Sequence, residues 1–197
     1  MFQVQPGSEA NYLSALEFIY QELIHMHSQR SEFYAQLPFY EKLIRLKLSV
    51  YRTCEPLLDL RKINEVFKLE VQKAQCFCRA LRFGQIDAKS TFTESSKIIE
   101  RLDEYPDSFE IDPHLLEEAT LSELKIRQAL GRTVSYRRLE QLSKSENETT
   151  RSTALYITAY ELSRRNFDAE AVEFLWNALT NGSTSNNFKS KRLYFLL

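Results

Sequence analysis

The chain has 197 residues, of which 26 are Lys or Arg and 27 are Asp or Glu, so its formal net charge is −1. Only 4 residues are glycine and 5 are proline, whereas glycine alone averages about 7% of a typical chain. A fold of many strands needs frequent turns and a phosphate-binding loop needs glycines, so this composition favours long helices with short connections. The balanced charge argues against a general nucleic-acid binder, which normally carries a basic excess.

The chain shows no signal for a membrane or for secretion. No stretch approaches the roughly 20 apolar residues that span a bilayer, and residues 1–8 lack the basic region and apolar core of a secretory signal. The three cysteines, Cys54, Cys76 and Cys78, are too few and odd in number for a disulfide framework. These features predict an intracellular protein, cytoplasmic or nuclear, with no membrane partner.

Apolar residues recur at spacings of three and four along most of the chain, which is typical of amphipathic helices. In the first helix the predicted core stripe is Tyr12, Leu16, Ile19, Leu23 and Met26, with Ser8 as the N-cap. Pro38 is placed in the first turn of the second helix, where its missing N–H costs nothing. The predicted helices cover residues 9–30, 39–54, 57–83, 87–103, 113–130, 136–142, 150–165, 168–181 and 186–196.

Helix ends and one linker suggest how these elements are organised. Gly84, Gly131 and Gly182 each fall at a predicted helix end, where glycine tolerates left-handed dihedral angles. The acidic segment 105–113 contains two prolines and is the clearest linker. We therefore expect one all-α domain over residues 1–197, with a sub-boundary at 104–113 that separates residues 1–104 from residues 113–197. Its antiparallel helical hairpins form either a short right-handed solenoid or an irregular α–α bundle.

A weak internal repeat joins two of the predicted helix junctions. Residues 81–90 align without gaps on residues 162–171, and both segments contain an apolar residue followed by Asp-Ala. Residues 152–185 resemble one tetratricopeptide repeat, a helix-turn-helix unit of about 34 residues, and residues 71–104 resemble it less closely. The signature positions of the better match are Leu155, Thr158, Ala159, Leu162, Ala171, Leu175 and Ala178.

The resemblance implies a groove lined by the first helix of each repeat, which holds an extended peptide or a helix of a partner. Carried onto residues 152–185, the groove positions are Tyr156, Tyr160, Ser163 and Arg164. On the weaker copy they are Gln75, Arg79, Arg82 and Phe83. Tyrosine and arginine are common in binding hot spots. Ordinary packing, with the hydroxyl group reaching water, is the alternative for the two tyrosines.

No motif in the sequence indicates catalysis or a cofactor. His25 and His27, like Cys76 and Cys78, are spaced two residues apart inside predicted helices. That spacing points two side chains to different faces, which does not suit a zinc site. The sequence also lacks phosphate-binding, dinucleotide-binding, nucleophile-elbow and metalloprotease motifs. We therefore expect a non-enzyme with no cofactor, no metal site and no small-molecule substrate.

Charge is segregated in the middle of the chain. Residues 100–123 contain nine acidic residues and one arginine, and residues 124–138 contain five basic residues and no acidic one. Two neighbouring solvated faces that partly neutralise each other explain this pattern, and a basic surface for a partner is the sharper alternative. With Arg137 and Arg138, the basic segment 124–138 also gives a second functional hypothesis, a helix-turn-helix regulator that contacts nucleic acid. We rank that hypothesis second, because the following helix is too apolar for a recognition helix.

The chain ends in a strongly apolar sequence, residues 193–197, which we expect either to meet a partner or to continue a longer helical array. Together these observations predict a non-catalytic interaction scaffold or adaptor subunit of a larger complex. Its expected ligand is a peptide segment or helix of another protein, and nucleic acid is not the expected partner.

Overall fold

A computed structural model describes residues 6–54 and 60–180 of the chain. Within these ranges the fold is all-α, as predicted, and no residue lies in a β-strand. No helix in the same ranges combines the length and apolarity needed to cross a membrane. The helices are α1 (Pro6–Gln29), α2 (Phe33–Cys54), α3 (Leu60–Arg82), α4 (Ala88–Ser108), α5 (Pro113–Ala129), α6 (Tyr136–Leu142), α7 (Glu148–Ser163) and α8 (Asp168–Thr180).

Backbone contacts divide the chain into two compact units, Met1–Ser122 and Glu123–Leu197, so the division falls inside α5. In unit 1, α1 packs on α2, α2 on α3 and α3 on α4, and in unit 2, α7 packs on both α6 and α8. The segment 104–113 lies within unit 1. The predicted linker there is shorter than expected, because α4 continues through Pro106 and leaves only residues 109–112 outside a helix.

Helix α3 forms the centre of unit 1. Its residues Phe67, Ala74, Phe77 and Ala80 are fully buried at spacings of seven, three and three, which place them on one face of the helix. The Phe67 ring contacts Tyr105 of α4, with 5.4 Å between ring centroids. This burial supplies the hydrophobic stabilisation that a short helical unit needs.

Hydrogen bonds made by side chains show the orientation of the helices that neighbour α3. Cys76 of α3 donates to the Phe33 carbonyl at the start of α2, and Lys73 bonds to Glu41 further along α2, so these helices are antiparallel. Helix α5 runs parallel to α3: Asn64 accepts from the Asp112 N–H (2.9 Å), Gln75 donates to Glu118 (3.2 Å) and Cys78 donates to the Ser122 carbonyl (3.6 Å).

The same turn follows each odd-numbered helix, α1, α3, α5 and α7. The residues in the left-handed conformation are Ser31, Gly84, Gly131 and Asn166, with φ between 57° and 67°. At Gly84 the N–H bonds to the Leu81 carbonyl while the next N–H, of Gln85, bonds to Ala80. This double bond pattern, which satisfies the last carbonyls of the helix, recurs at the other three turns. The predicted helix ends at Gly84 and Gly131 are therefore confirmed, and Gly182 lies outside the described residues.

The internal repeat marks two of these turns, but the ungapped alignment is one residue out of register. It pairs Gly84 with Arg165, whereas the left-handed residue of the second turn is Asn166. Asp87 is the N-cap of α4 and accepts from the Ser90 N–H, while Asp168 is already the first residue of α8. The loop between α3 and α4 is thus one residue longer than the loop between α7 and α8. The Asp-Ala pair that both segments contain therefore occupies different positions relative to the start of the following helix.

Two predictions for the first two helices are wrong. Helix α1 begins at Pro6, so Ser8 is not its N-cap, and α2 begins at Phe33, so Pro38 lies inside it. The predicted stripe of α1 is also split: Leu16 and Leu23 are half-buried, but Tyr12, Ile19 and Met26 are exposed. The two leucines lie along one edge of this stripe and the three exposed residues along the other, so the contact with α2 covers only one edge.

In unit 2, α7 is buried on most of its circumference. Its buried residues include Ala154, Leu155, Ile157 and Ala159 as well as several Ser and Thr residues. Ala171, Leu175 and Ala178 form the buried stripe of α8, which packs on α7. The small side chains permit a close approach of the two helices. The predicted helix 186–196 and the apolar end 193–197 lie outside the described residues.

Candidate interaction site

A cleft of about 710 Å³ lies between α2 and α4 in unit 1, with Lys73 of α3 at its base. Tyr34, Leu37 and Pro38 give its α2 side an apolar edge, and charged side chains line the rest of both walls. The eight charged lining residues are Glu41, Arg45, Lys73, Glu94, Lys97, Glu100, Arg101 and Glu104. Because four are acidic and four are basic, the lining carries no net formal charge.

The cations of the cleft are held by carboxylates. Glu41 contacts both Lys73 (2.5 Å) and Arg45 (2.9 Å), and the side chain of Lys73 is only 9% exposed. Burial by itself would raise the pKa of Glu41, but the hydrogen bonds and positive charges of Lys73 and Arg45 outweigh it and lower the pKa. On α4, Lys97 pairs with Glu94 and Arg101 pairs with Glu104, each at 3.2 Å. The charged walls are therefore fixed mainly by their own ion pairs.

A buried carboxyl group lies close to these charges. Glu70 of α3 is 3% exposed, and burial raises the pKa of its carboxyl group. Lys73 and Arg101 oppose that rise, whereas the carboxylates of Glu41 and Glu104 add to it. Since all four of those residues line the cleft, charge in the cleft acts directly on Glu70.

The groove residues predicted on α3 do not line this cleft. Gln75 donates to Glu118 of α5, so it faces the neighbouring parallel helix. Arg79 and Phe83 contact Phe33 of α2: the guanidinium group lies 5.8 Å from the ring centroid and the Phe83 ring stacks at 5.3 Å. Arg82 is exposed at the end of the helix. Arg79 and Phe83 thus share the Phe33 ring, whereas Gln75 is bonded to α5 and Arg82 lies at the helix end.

The predicted groove residues of unit 2 lie closer together. Tyr156, Tyr160 and Ser163 are half-buried at spacings of four and three on α7, and Arg164 is exposed at its end. Ser163 donates to Asp168 (3.1 Å) and Arg164 bonds to the buried Glu161 (3.4 Å). These positions form one face of the helix, with the hydroxyl and guanidinium groups of its last turn already held within unit 2.

The basic segment 124–138 is partly neutralised by the last residue of the acidic segment. Glu123 is buried and bonds to Arg127 (2.6 Å) and to Arg138. Arg137, next to Arg138, is exposed. The charges of the two segments are therefore linked by a three-residue ion network, which accounts for part of the sequence pattern without a ligand.

The histidine and cysteine pairs have other contacts. His25 bonds to Gln29, and His27 bonds to Glu32 and stacks on Phe39. Cys76 is buried, which raises the pKa of its thiol to about 12, whereas the Cys78 thiol is directed to the Ser122 carbonyl. Cys54 is the last residue of α2, and its side chain is not among those that the structure describes. Across the described part of the chain no three His, Cys, Asp or Glu side chains form a cluster able to hold a metal ion.

Sequence reasoning missed the cleft, although a signal for its walls exists. Glu41 and Arg45 are four residues apart, and Glu94, Lys97, Arg101 and Glu104 follow each other at spacings of three and four. Such spacing predicts surface ion pairs along one helix face. It does not predict that the two faces oppose each other across α3, which depends on how α2 and α4 pack.

The chain was compared with protein-family models, with curated proteins and with solved structures, and none of the three comparisons found a match.

Proposed function

We propose that this chain is a non-catalytic interaction scaffold or adaptor subunit of a larger complex, which holds a peptide segment or helix of another protein. The observation that carries the proposal is the cleft between α2 and α4. It offers an apolar edge at Tyr34, Leu37 and Pro38 beside two charged walls, and it is wide enough for several side chains. Its lining contains no histidine, cysteine, serine or threonine, and both of its lysines are paired with carboxylates, which supports binding rather than nucleophilic chemistry.

The charge of the cleft limits the kind of ligand. Because the lining is neutral overall and its cations are paired, it presents no strong field to attract a highly acidic or highly basic chain. A peptide of mixed charge fits better, since its side chains can exchange partners with ion pairs such as Lys97–Glu94 and Arg101–Glu104. Its apolar residues can contact Tyr34 and Pro38, which are exposed at the edge of the cleft.

We further propose that the helices are tetratricopeptide-type repeats. The parallel arrangement of α3 and α5 and the recurring left-handed turn support stacked hairpins. In unit 2, the signature residues Leu155, Ala159, Ala171, Leu175 and Ala178 are all buried in the α7–α8 hairpin. The cleft, however, is lined mainly by second helices of hairpins, whereas the resemblance implies a groove of first helices. The α7 face of Tyr156, Tyr160, Ser163 and Arg164 is therefore kept as a second candidate surface.

The helix-turn-helix alternative has weaker support. Helix α7 follows the basic segment, but it is buried on most sides and its last turn is occupied by contacts within unit 2. Arg127 and Arg138 are paired with Glu123. A recognition helix needs an exposed polar face that can enter a DNA groove.

The proposal is tested with the full chain as bait, followed by overlapping peptides of whichever protein it captures. One variant, Arg45→Glu with Lys97→Glu, reverses two exposed cations of the cleft. A second variant replaces Tyr156, Tyr160 and Arg164 by Ala. The matched control is Lys144→Glu, an exposed cation outside both surfaces.

Loss of peptide binding in the cleft variant alone, by at least about tenfold in dissociation constant, would support the cleft. Loss in the Tyr156/Tyr160/Arg164 variant alone would assign binding to α7 instead. Binding that none of the variants changes would refute both surfaces. Binding of DNA that depends steeply on salt and is lost in Arg137→Ala with Arg138→Ala would favour the nucleic-acid alternative.

A further inference from the structure

The outward face of α1 is unusually apolar for an exposed helix. Tyr12, Phe18, Ile19 and Met26 are 63%, 62%, 47% and 45% exposed. From Asn11 to Gln29, the exposed positions of α1 include a single formally charged side chain, Glu22. A helix face that remains in water normally carries several charges, so this face is suited to a second helix.

The spacing of the apolar residues indicates how such a helix would lie. Tyr12, Ile19 and Met26 are seven residues apart, which keeps them on one line along a helix that packs against another. The inward side of α1 is already used, since Glu17 pairs with Lys47 of α2 at 2.6 Å and His27 stacks on Phe39. The exposed line is therefore additional to the contact that holds α1 in unit 1.

We propose that α1 is a self-association surface, on which the α1 helix of a second copy packs antiparallel around Ile19. A two-fold axis at Ile19 places this residue against its own copy and places Tyr12 against Met26 of the other chain. The methionine sulfur and the tyrosine ring make a favourable pair. This inference does not depend on the cleft and concerns a different helix.

The charge of the face favours a second copy as its occupant. Two identical faces that each carry only Glu22 meet with little repulsion, whereas a strongly charged partner helix would find no complementary charges there. The four apolar side chains expose roughly 400 Å² per copy, since an aromatic residue offers about 150–250 Å² when fully exposed. Two such faces offer about 800 Å² when paired, which is below the roughly 1,000 Å² of a stable specific interface, so we expect a weak dimer that depends on concentration.

The test measures the mass of the full chain by sedimentation velocity over a range of concentrations. We expect a monomer–dimer equilibrium, and we expect Ile19→Glu to raise its dissociation constant by at least about tenfold, because two carboxylates would be buried at the two-fold axis. The matched control is Phe92→Glu on α4, which introduces the same charge at a residue 61% exposed. Thermal unfolding of both variants checks that they fold.

Cross-linking tests the geometry. A mixture of Tyr12→Cys and Met26→Cys chains should form mixed disulfides in preference to like pairs, with wild type as the background from its own cysteines. A wild type that stays monomeric at every concentration, an Ile19→Glu chain that dimerises as well as Phe92→Glu, or cross-links that favour like pairs would each overturn the proposal.

Discussion

Helices α1 and α3 are almost equal in length, with 24 and 23 residues, but they use their apolar residues differently. The exposed residues of α3 are Leu60 and five charged ones, and its apolar residues face α2 and α4. On α1, by contrast, four large apolar residues are exposed and one charge is present on the same face. Apolar spacing therefore predicts a helix reliably, whereas it does not tell which apolar residues will find a partner within the same chain.

The largest difference in stability between the two helices should appear when one phenylalanine in each is replaced by alanine. Phe67→Ala in α3 should lower the free energy of unfolding by about 3–5 kcal/mol, because Phe67 is fully buried and leaves a cavity against Tyr105. Phe18→Ala in α1 should change it by no more than about 0.5 kcal/mol, since that ring is 62% exposed. Urea denaturation measures both, and similar losses would contradict the contrast.

A smaller effect is expected at the buried cation of α3. Glu41→Gln leaves Lys73, whose side chain is 9% exposed, without its carboxylate, and should cost about 1–3 kcal/mol of stability. The control is Glu140→Gln. Its partner, Lys144, lies in solvent, so this substitution should cause no measurable change in stability. Equal denaturation midpoints for the two variants would show that the Glu41–Lys73 pair contributes nothing to unit 1.

The buried Glu70 of α3 should make stability depend on pH. Burial raises the pKa of Glu70 in the native state above the ordinary value of 4.5 that we assign to the unfolded chain. The protonated form therefore stabilises the fold fully below pH 4.5, and this contribution is lost as pH rises through the raised pKa. Glu70→Gln, which keeps the neutral form, should flatten this part of the pH profile and raise the melting temperature at neutral pH. A variant with an unchanged profile would exclude Glu70 as the cause.

The fold class could be predicted because long helices leave strong local signals. The helix ends predicted at Gly84 and Gly131 are confirmed, because each depends on residues close in sequence. Pro38 and Pro106 were misleading, because both are tolerated inside helices that tertiary packing stabilises.

The candidate site was harder to predict, because it depends on contacts between distant residues. Glu41 and Lys73 are 32 residues apart, and the ion pair exists only because α2 and α3 pack antiparallel. Similarly, no local signal indicates that Gln75 would bond to Glu118 rather than face a groove. Side-chain types predict what a surface could bind, but the packing of helices decides which residues share that surface.

The smallest expected effect concerns the turns that end α1 and α3. Both turns place a residue at positive φ, which is Ser31 after α1 and Gly84 after α3. A serine there suffers a steric penalty that glycine avoids. Ser31→Gly should therefore stabilise the chain by a few tenths to about 1 kcal/mol, with the greater entropy of glycine in the unfolded state reducing the gain. Ser28→Gly, in the last turn of α1, should instead destabilise it by up to about 0.5 kcal/mol. Denaturation shifts of the same sign in the two variants would show that the left-handed turn after α1 is not under strain.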